Sequence, residues 1–331
     1  MIEYSLSGPI PPLEEIATPI TAPVEPGPPD LLPRLLPKHG QLVIAGETNS
    51  GKSLIALEIC SSLVTGTPLW GEIEPTAVAQ RILFCLGEHY DNVIRRLAIH
   101  TKLPMSDQIF LLGPEKLSWD KWLVVNGRPN QVAITKLQKW SEKCDLVVFD
   151  PMSAFLTGGG EAENDNITMR LVLDSMSLIT QTNGAACLVL AHQGKPMMNQ
   201  YGQETKRRSY AIRGASAIED AATNIFYLER GDSSDVVAQA TGGHVYDLVC
   251  RKFKGESVPK FTLLRNKDTL THRLLSGKPY ADVKKLEARA KIARLREDNP
   301  LIDERTAIRL VASIEGVSED TIKRWIGLLV D

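Results

Sequence analysis

The stretch Gln41–Val64, QLVIAGETNSGKSLIALEICSSLV, decides the fold. Its opening apolar run reads as a buried strand, and its closing run, rich in Leu, Ile and Ala, reads as a helix. Between them GETNSGKS, Gly46 to Ser53, satisfies the pattern G-x-x-x-x-G-K-[ST]. A strand, a glycine turn and a helix in that order are what phosphate binding requires. Gly46 and Gly51 let the backbone wrap closely, so that successive N–H groups and the helix N-terminus face an anion. Lys52 reaches β- and γ-phosphates and the Ser53 hydroxyl ligates Mg²⁺. The expected nucleotide-contacting set is Gly46, Glu47, Thr48, Asn49, Ser50, Gly51, Lys52, Ser53 and Leu54, with ATP and Mg²⁺ as the ligands.

Further candidate strands are RILFCLG, QIFLLG, LVVFD, AACLVLAH, ATNIFYLE, YDLVCRKFK and KFTLLRN. Near-continuous apolar strands separated by amphipathic helices imply a mostly parallel sheet covered on both faces. The last strands follow one another without helices and read as an antiparallel extension. The expected fold class is α/β, a P-loop core of this kind plus a small C-terminal all-α module. The expected division is a Pro-rich arm over 1–37, the core over 38–277 and the helical module over 278–331.

Half of the 20 prolines lie before residue 38. Proline lacks an amide donor and fixes φ, so this arm holds neither a regular helix nor a central strand. It is either a solvated extended segment or a strap whose Ile, Leu and Val pack along the core or a neighbouring subunit. At the other end, residues 282–298, DVKKLEARAKIARLRED, read as a basic helix. DERTAIRLVASIEGVSEDTIKRWIGLLV then reads as a helix, a turn at Glu315-Gly316-Val317 and a second helix capped by Ser318. Ala307, Leu310 and Val311 are expected on one face of the first helix. Ile322, Trp325, Ile326 and Leu329 form the matching stripe on the second. The pair is either a helix-turn-helix for duplex DNA, with Lys323 and Arg324 as its outward bases, or a hairpin for a subunit or replication partner.

Apolar content of 43% and a formal charge of −2 are those of a globular protein that does not bind polyanions by bulk charge. The five cysteines show no C-x-x-C pair and no partner histidines, so they read as small buried hydrophobes in a reducing cytoplasm. The acidic, Pro-rich N-terminus lacks the features of a signal peptide, and no segment reaches the apolar length of a membrane span.

LVVFDPMSAF, residues 146–155, ends a buried strand at Asp150, a carboxylate suited to Mg²⁺. The next position, where many nucleotide hydrolases keep a catalytic Glu, is Pro151, so a general base must come from elsewhere. RILFCLG is followed by Glu88, at the sheet edge where ligands of open α/β sheets bind. Glu88 is either that base or a helix-capping acid. CLVLAH ends in His192-Gln193 at the same edge, where His192 is either a γ-phosphate sensor or a structural histidine. The loop after it, GKPMMNQYGQETKRRSYAIRG, holds Lys195, Lys206, Arg207 and Arg208 with Tyr201 and Tyr210. Basic groups can track phosphates and aromatics can stack bases. The alternative is a solvated loop with a chance cluster of charge.

In order, GETNSGKS, FCLGEH…IRRL, VVFDPMSAFL…ENDN, LVLAHQGK and IRGASAIEDAATNIFYLE resemble the RepA-type plasmid replicative helicases, a RecA-like ATPase group, over about residues 30–275. The resemblance implies a RecA-like core in a ring-shaped, mostly hexameric homo-oligomer that hydrolyses ATP between subunits and moves along single-stranded DNA. It implies that Lys52 and Ser53 hold phosphate and Mg²⁺, that Asp150 is the metal carboxylate, either touching the ion directly or standing behind its ligands, and that Glu88 activates water. It further implies that His192 is the sensor, that Arg213 in RGAS is offered to a neighbour's γ-phosphate, and that Arg96, or less favourably Arg95, stacks on adenine. The family more often reads Glu-Asp-Pro where this chain has Glu88-His89-Tyr90. RKFKG, with Arg251, Lys252 and Lys254, resembles the finger strand of DnaB-type helicases and supplies an alternative trans-acting group. The expected function is an ATP-dependent DNA helicase or translocase of a plasmid, phage or mobile element. The alternatives are an ATP-regulated DNA-binding recombination or regulatory protein that does not unwind, and a KaiC-like ATPase without nucleic acid.

Overall fold

The computed structural model describes residues 29–87, 94–95, 99–104, 107–114, 122–158, 162, 165–193, 215–231, 244–253, 261–275, 279–300, 302–315 and 317–326. Strands form where the sequence offers unbroken apolar runs. β1 (Gln41–Gly46) is buried at every residue and leads through the glycine turn into α1 (Lys52–Thr65). β2 (Ile82–Leu86) and β3 (Ile109–Leu112) follow. A short hairpin, β4 (Val124–Val125) and β5 (Arg128–Pro129), turns at Asn126-Gly127, both with positive φ. This Asn-Gly turn is a standard hairpin signal, flanked here by strands of only two residues each. α2 (Gln131–Trp140) starts on the Asn130 side chain and β6 (Leu146–Asp150) is fully buried. α3 (Asn166–Gln181) begins on Asp165, whose carboxylate accepts from the N–H groups of Ile167 and Thr168. β7 (Ala186–His192), α4 (Ala215–Ala221), β8 (Asn224–Arg230), β9 (His244–Lys252), β10 (Phe261–Arg265) and β11 (His272–Leu274) complete the core.

All strands except the β4–β5 hairpin join one nine-stranded sheet in the order β11-β10-β9-β8-β1-β7-β6-β2-β3. Every neighbouring pair from β8 to β3 is parallel, and β9, β10 and β11 are added antiparallel. This is the RecA-like arrangement with its extension, and each strand read from the sequence falls within it. Alternate residues of β1 feed opposite cores, Val43 and Ala45 on one face and Leu42 and Ile44 on the other. α3 covers the first face with Met169, Val172, Leu173, Met176 and Ile179. α1 covers the second with Ile55, Ile59, Cys60 and Leu63.

That second core also takes in Leu31, Leu32, Leu35 and Leu36, from the end of the Pro-rich arm. The Leu31 carbonyl accepts from the Thr76 N–H at 3.1 Å and the Leu35 carbonyl from Asn224 Nδ2 at 3.0 Å. The arm therefore packs along its own core from about Leu31, because burying four leucines outweighs leaving the segment solvated. Residues 1–28 lie outside the described residues.

α5 (Pro279–Asp298), α6 (Glu304–Glu315) and α7 (Glu319–Ile326) build a separate cluster from Ala288, Ile292, Ala307, Ile308, Val311, Ala312 and Ile322. Asp303 Oδ1 accepts from the Thr306 N–H at 2.7 Å, and these bonds to Thr306 hold its carboxyl below the usual range. Ser318 Oγ caps α7 through the Thr321 N–H at 3.2 Å, as its sequence indicates. One expected face is corrected. Leu310 is 39% exposed, whereas Ile308 and Ala312 are buried beside Ala307 and Val311. α5 and α7 cover a stripe centred on the 308 side, so the three-residue step from Ala307 carries Leu310 to the far flank. The side chains of Arg324, Trp325 and Ile326, and the whole of Leu329, lie outside the described set.

Cys60, Cys85, Cys144 and Cys187 are buried and unbridged. Burial pushes the Cys187 thiol up to about 12 and that of Cys144 to about 11, so they act as small apolar groups. Among the described residues no helix is long and apolar enough to cross a membrane, and no cluster of three His, Cys, Asp or Glu forms a metal site.

Candidate nucleotide site

The sheet register collects the candidate residues at one edge. Gly46 at the end of β1 is level with His192 of β7, and Leu86 of β2 is level with Asp150 of β6. The carboxyl ends of parallel strands are where open α/β sheets bind ligands. Because β7 lies between β1 and β6, Asp150 stands one strand away from His192 and two from the P-loop.

In the loop itself the Ser50 N–H donates to the Glu47 carbonyl at 3.2 Å, and Asn49 takes φ 63°. Gly51 ends the loop at φ 100°, a conformation that a Cβ would strain, and serves as N-cap of α1 without any side-chain cap. The first N–H groups of α1 are thereby left directed at whatever lies in the loop. Lys52 is only 6% exposed. Its Nζ donates to the carbonyls of Gly46 at 3.0 Å and Glu47 at 2.6 Å, and to Ser50 Oγ at 3.4 Å. Burial lowers its pKa to about 8, against an opposing pull from the Asp150 and Glu47 carboxylates. The Gly46 carbonyl also accepts from the Gln193 N–H at 3.0 Å, which ties the end of β7 to the loop.

Asp150 is buried at the end of β6, and its carbonyl accepts from the Gly87 N–H at 2.8 Å. A Cβ on Gly87 would sit 2.2 Å from Ala154 Cβ. Only glycine lets the end of β2 approach the turn Met152–Phe155 this closely, so the residue before Glu88 is pinned to the Asp150 strand. Ser53 in the first turn of α1 and Asp150 at the sheet edge offer a hydroxyl and a carboxylate. Such hard oxygen donors suit Mg²⁺, which typically takes few protein ligands beside phosphates.

Glu88, Arg96, Lys195, Lys206, Arg207, Arg208, Arg213 and Lys254 lie outside the described residues, as do Tyr201 and Tyr210. Arg95 is exposed. The two described alternatives for the trans-acting finger are engaged within their own chain. Arg251 lies 5.7 Å over the Tyr227 ring and 3.8 Å from Glu229 Oε1. Lys252 Nζ donates to the carbonyls of Glu219 and Asp220 at the end of α4.

Two residues near the P-loop carry no motif. Glu58, buried in α1, accepts from Trp70 Nε1 at 2.9 Å and from the His272 N–H at 2.6 Å, and its Oε2 lies 3.0 Å from His272 Nδ1. It ties the P-loop helix to β11. Glu58→Ala leaves all three groups buried without a carboxylate, so urea unfolding is expected to show a loss of about 3 kcal/mol. Arg265, at the end of β10, brings its Nη1 to 3.5 Å from the Cβ position of Gly51. In the sequence it is a single basic residue after an apolar run, and nothing local announces its neighbour.

A family model described as an AAA domain matches residues 14–198, more than half of the 331 residues. The chain belongs to the AAA domain family. It is a P-loop ATPase domain of RecA-like fold, with the nucleotide site that this implies. No curated protein matches the sequence. Among solved structures, the KaiC-like protein PH0186 of the hyperthermophilic archaeon Pyrococcus horikoshii OT3 is 12% identical, with a TM-score of 0.49 over 74% of this chain and 94% of its own. The ATPase domain of G40P is likewise 12% identical, with a TM-score of 0.49 over 72% of this chain and 86% of its own. The AAA match spans β1 to β7, including the P-loop, Asp150 and His192, and ends before β8.

Proposed function

We propose that this AAA domain protein is a RepA-type DNA helicase or translocase of a plasmid, phage or mobile element, a homo-oligomeric, hexameric ring that hydrolyses ATP at subunit interfaces. The observation that carries the reading is the bond from the Gln193 N–H to the Gly46 carbonyl. It ties the P-loop to the start of the segment that holds Lys195, Lys206, Arg207 and Arg208. Any shift of the loop on phosphate release is then transmitted into the residues proposed to grip single-stranded DNA. In this reading Lys52 and the α1 N-terminus bind phosphates, and Ser53 and Asp150 hold Mg²⁺. Glu88 takes the proton of the attacking water, His192 senses the γ-phosphate, and Arg96 stacks on adenine. Arg213 reaches a neighbour's nucleotide. The C-terminal helices carry duplex DNA or a replication partner.

Strand displacement on a forked duplex with ATP tests the proposal. Unwinding that disappears in Lys52→Ala and Glu88→Gln supports it. Duplex binding without displacement, lost when residues 282–331 are removed, identifies an ATP-regulated DNA-binding protein instead. ATPase activity indifferent to DNA identifies a KaiC-like ATPase. Glu88→Gln is expected to retain ATP and to slow hydrolysis by about 10²-fold, the lower range for loss of a general base. Single-turnover hydrolysis of radiolabelled ATP checks it, and equal rates in mutant and wild type remove Glu88 from the mechanism.

A further inference from the structure

Arg265 has the features of a built contact that the P-loop motif does not include. Its guanidinium lies 4.8 Å over the Tyr246 ring, and that ring meets His272 edge-on at 5.8 Å. His272 is bonded to Glu58 of α1. The arginine is thus fixed by a series of contacts that returns to the helix whose N-terminus forms the phosphate cradle. Its Nη1 stands 3.5 Å from the Gly51 Cβ position, and its Nε is buried without a hydrogen-bond partner among the described residues. Stacking satisfies the face of a guanidinium but not its donor edge. A buried donor left in that state destabilises a fold unless another group meets it.

We propose that Arg265 binds the phosphates of the nucleotide held by its own chain, as a second cation that the antiparallel extension supplies beside Gly51. The inference rests on the nucleotide reading of the P-loop. A planar fork of N–H donors matches phosphate oxygens, and the N–H groups after Gly51 favour the same anion. Arg265 differs in kind from Arg213, Arg251 and Lys254, whose proposed targets are a neighbour's nucleotide. It adds a grip that recognises phosphate whatever the base, and it links nucleotide binding to the position of β10.

The test is calorimetric titration of the full chain with Mg-ADP, Mg-GDP and Mg-CDP, for wild type, Arg265→Met, Arg265→Lys and Lys52→Ala. Arg265→Met is expected to weaken each nucleotide by the same factor, about tenfold, the range for one charge-assisted contact. Arg265→Lys is expected to recover part of the loss. Without nucleotide, Arg265→Met is expected to melt no lower than wild type, while the rise in melting temperature on adding Mg-ADP shrinks. A lower melting temperature without nucleotide gives Arg265 a structural role and overturns the proposal. So does a loss seen with Mg-ADP but not with Mg-CDP, which marks a base contact. Wild-type affinity in Arg265→Met with binding lost in Lys52→Ala overturns the Arg265 proposal and leaves the P-loop reading intact. Wild-type affinity in Lys52→Ala overturns the P-loop reading and this proposal with it.

Discussion

Lys52→Ala is expected to lower kcat/KM for ATP by about 10³-fold, the upper range for removing one donor aimed at developing charge. The Lys52 ammonium is buried and reaches the carbonyls of Gly46 and Glu47 and the Ser50 hydroxyl. It is therefore held inside the loop rather than free in solvent, and no neighbouring lysine takes its place in the motif. The same burial sets a pH signature. With its pKa lowered to about 8, Lys52 is protonated below that pH and neutral above it. Only the protonated form attracts phosphate, so binding above about pH 8 is accompanied by uptake of a proton at Lys52. Wild-type affinity for Mg-ADP is expected to be flat below about pH 8 and to fall, by up to tenfold per unit, above it. Lys52→Ala is expected to bind weakly with no such bend. Fluorescence titration with a labelled ADP between pH 6.5 and 9.5 reads both effects. A profile that bends equally in the mutant places the titrating group elsewhere.

Arg213→Ala is expected to keep nucleotide affinity within a few-fold of wild type and to lose about 10³-fold or more in turnover. This is the scale of an arginine that meets transition-state charge across an interface. Its distinguishing behaviour is complementation. Mixing Arg213→Ala with Lys52→Ala subunits is expected to restore some turnover, because a wild-type P-loop can then face a wild-type arginine. Steady-state ATPase assays across mixing ratios measure this. A purely additive response assigns Arg213 to its own chain's site. Hydrolysis equal to wild type in the single mutant moves the finger to the RKFKG strand, even though Arg251 and Lys252 are already held by Tyr227, Glu229 and the end of α4.

Much of this site could be read from contiguous residues. GETNSGKS declares its own conformation, because two glycines, a lysine and a helix start are spaced along one turn of backbone. The strands were legible because parallel strands buried on both faces leave unbroken apolar runs. LVVFD and QLVIAG match β6 and β1 residue for residue. Capping was legible for the same local reason at Ser318. Leu310 shows where this stops. A helix pattern marks a stripe, but its exact centre depends on which helices cover it, and α5 and α7 moved it towards Ile308. The arm was ambiguous for a related reason, since prolines exclude regular structure without saying whether the leucines between them find a core.

The sequence by itself determined the phosphate loop, the apolar strands, the absence of a base after Asp150 and the Ser318 cap of the last helix. All of these depend on residues within a few positions of one another. The tertiary structure alone decided that β7 enters between β1 and β6, which brings His192 level with Gly46. It alone brought Glu58 to His272 across 214 positions, and Arg265 to Gly51 across a similar span. Such pairings arise from strand order and from the burial of whole elements, to which every part of the chain contributes. A single charged residue after an apolar run carries no mark of its distant neighbour.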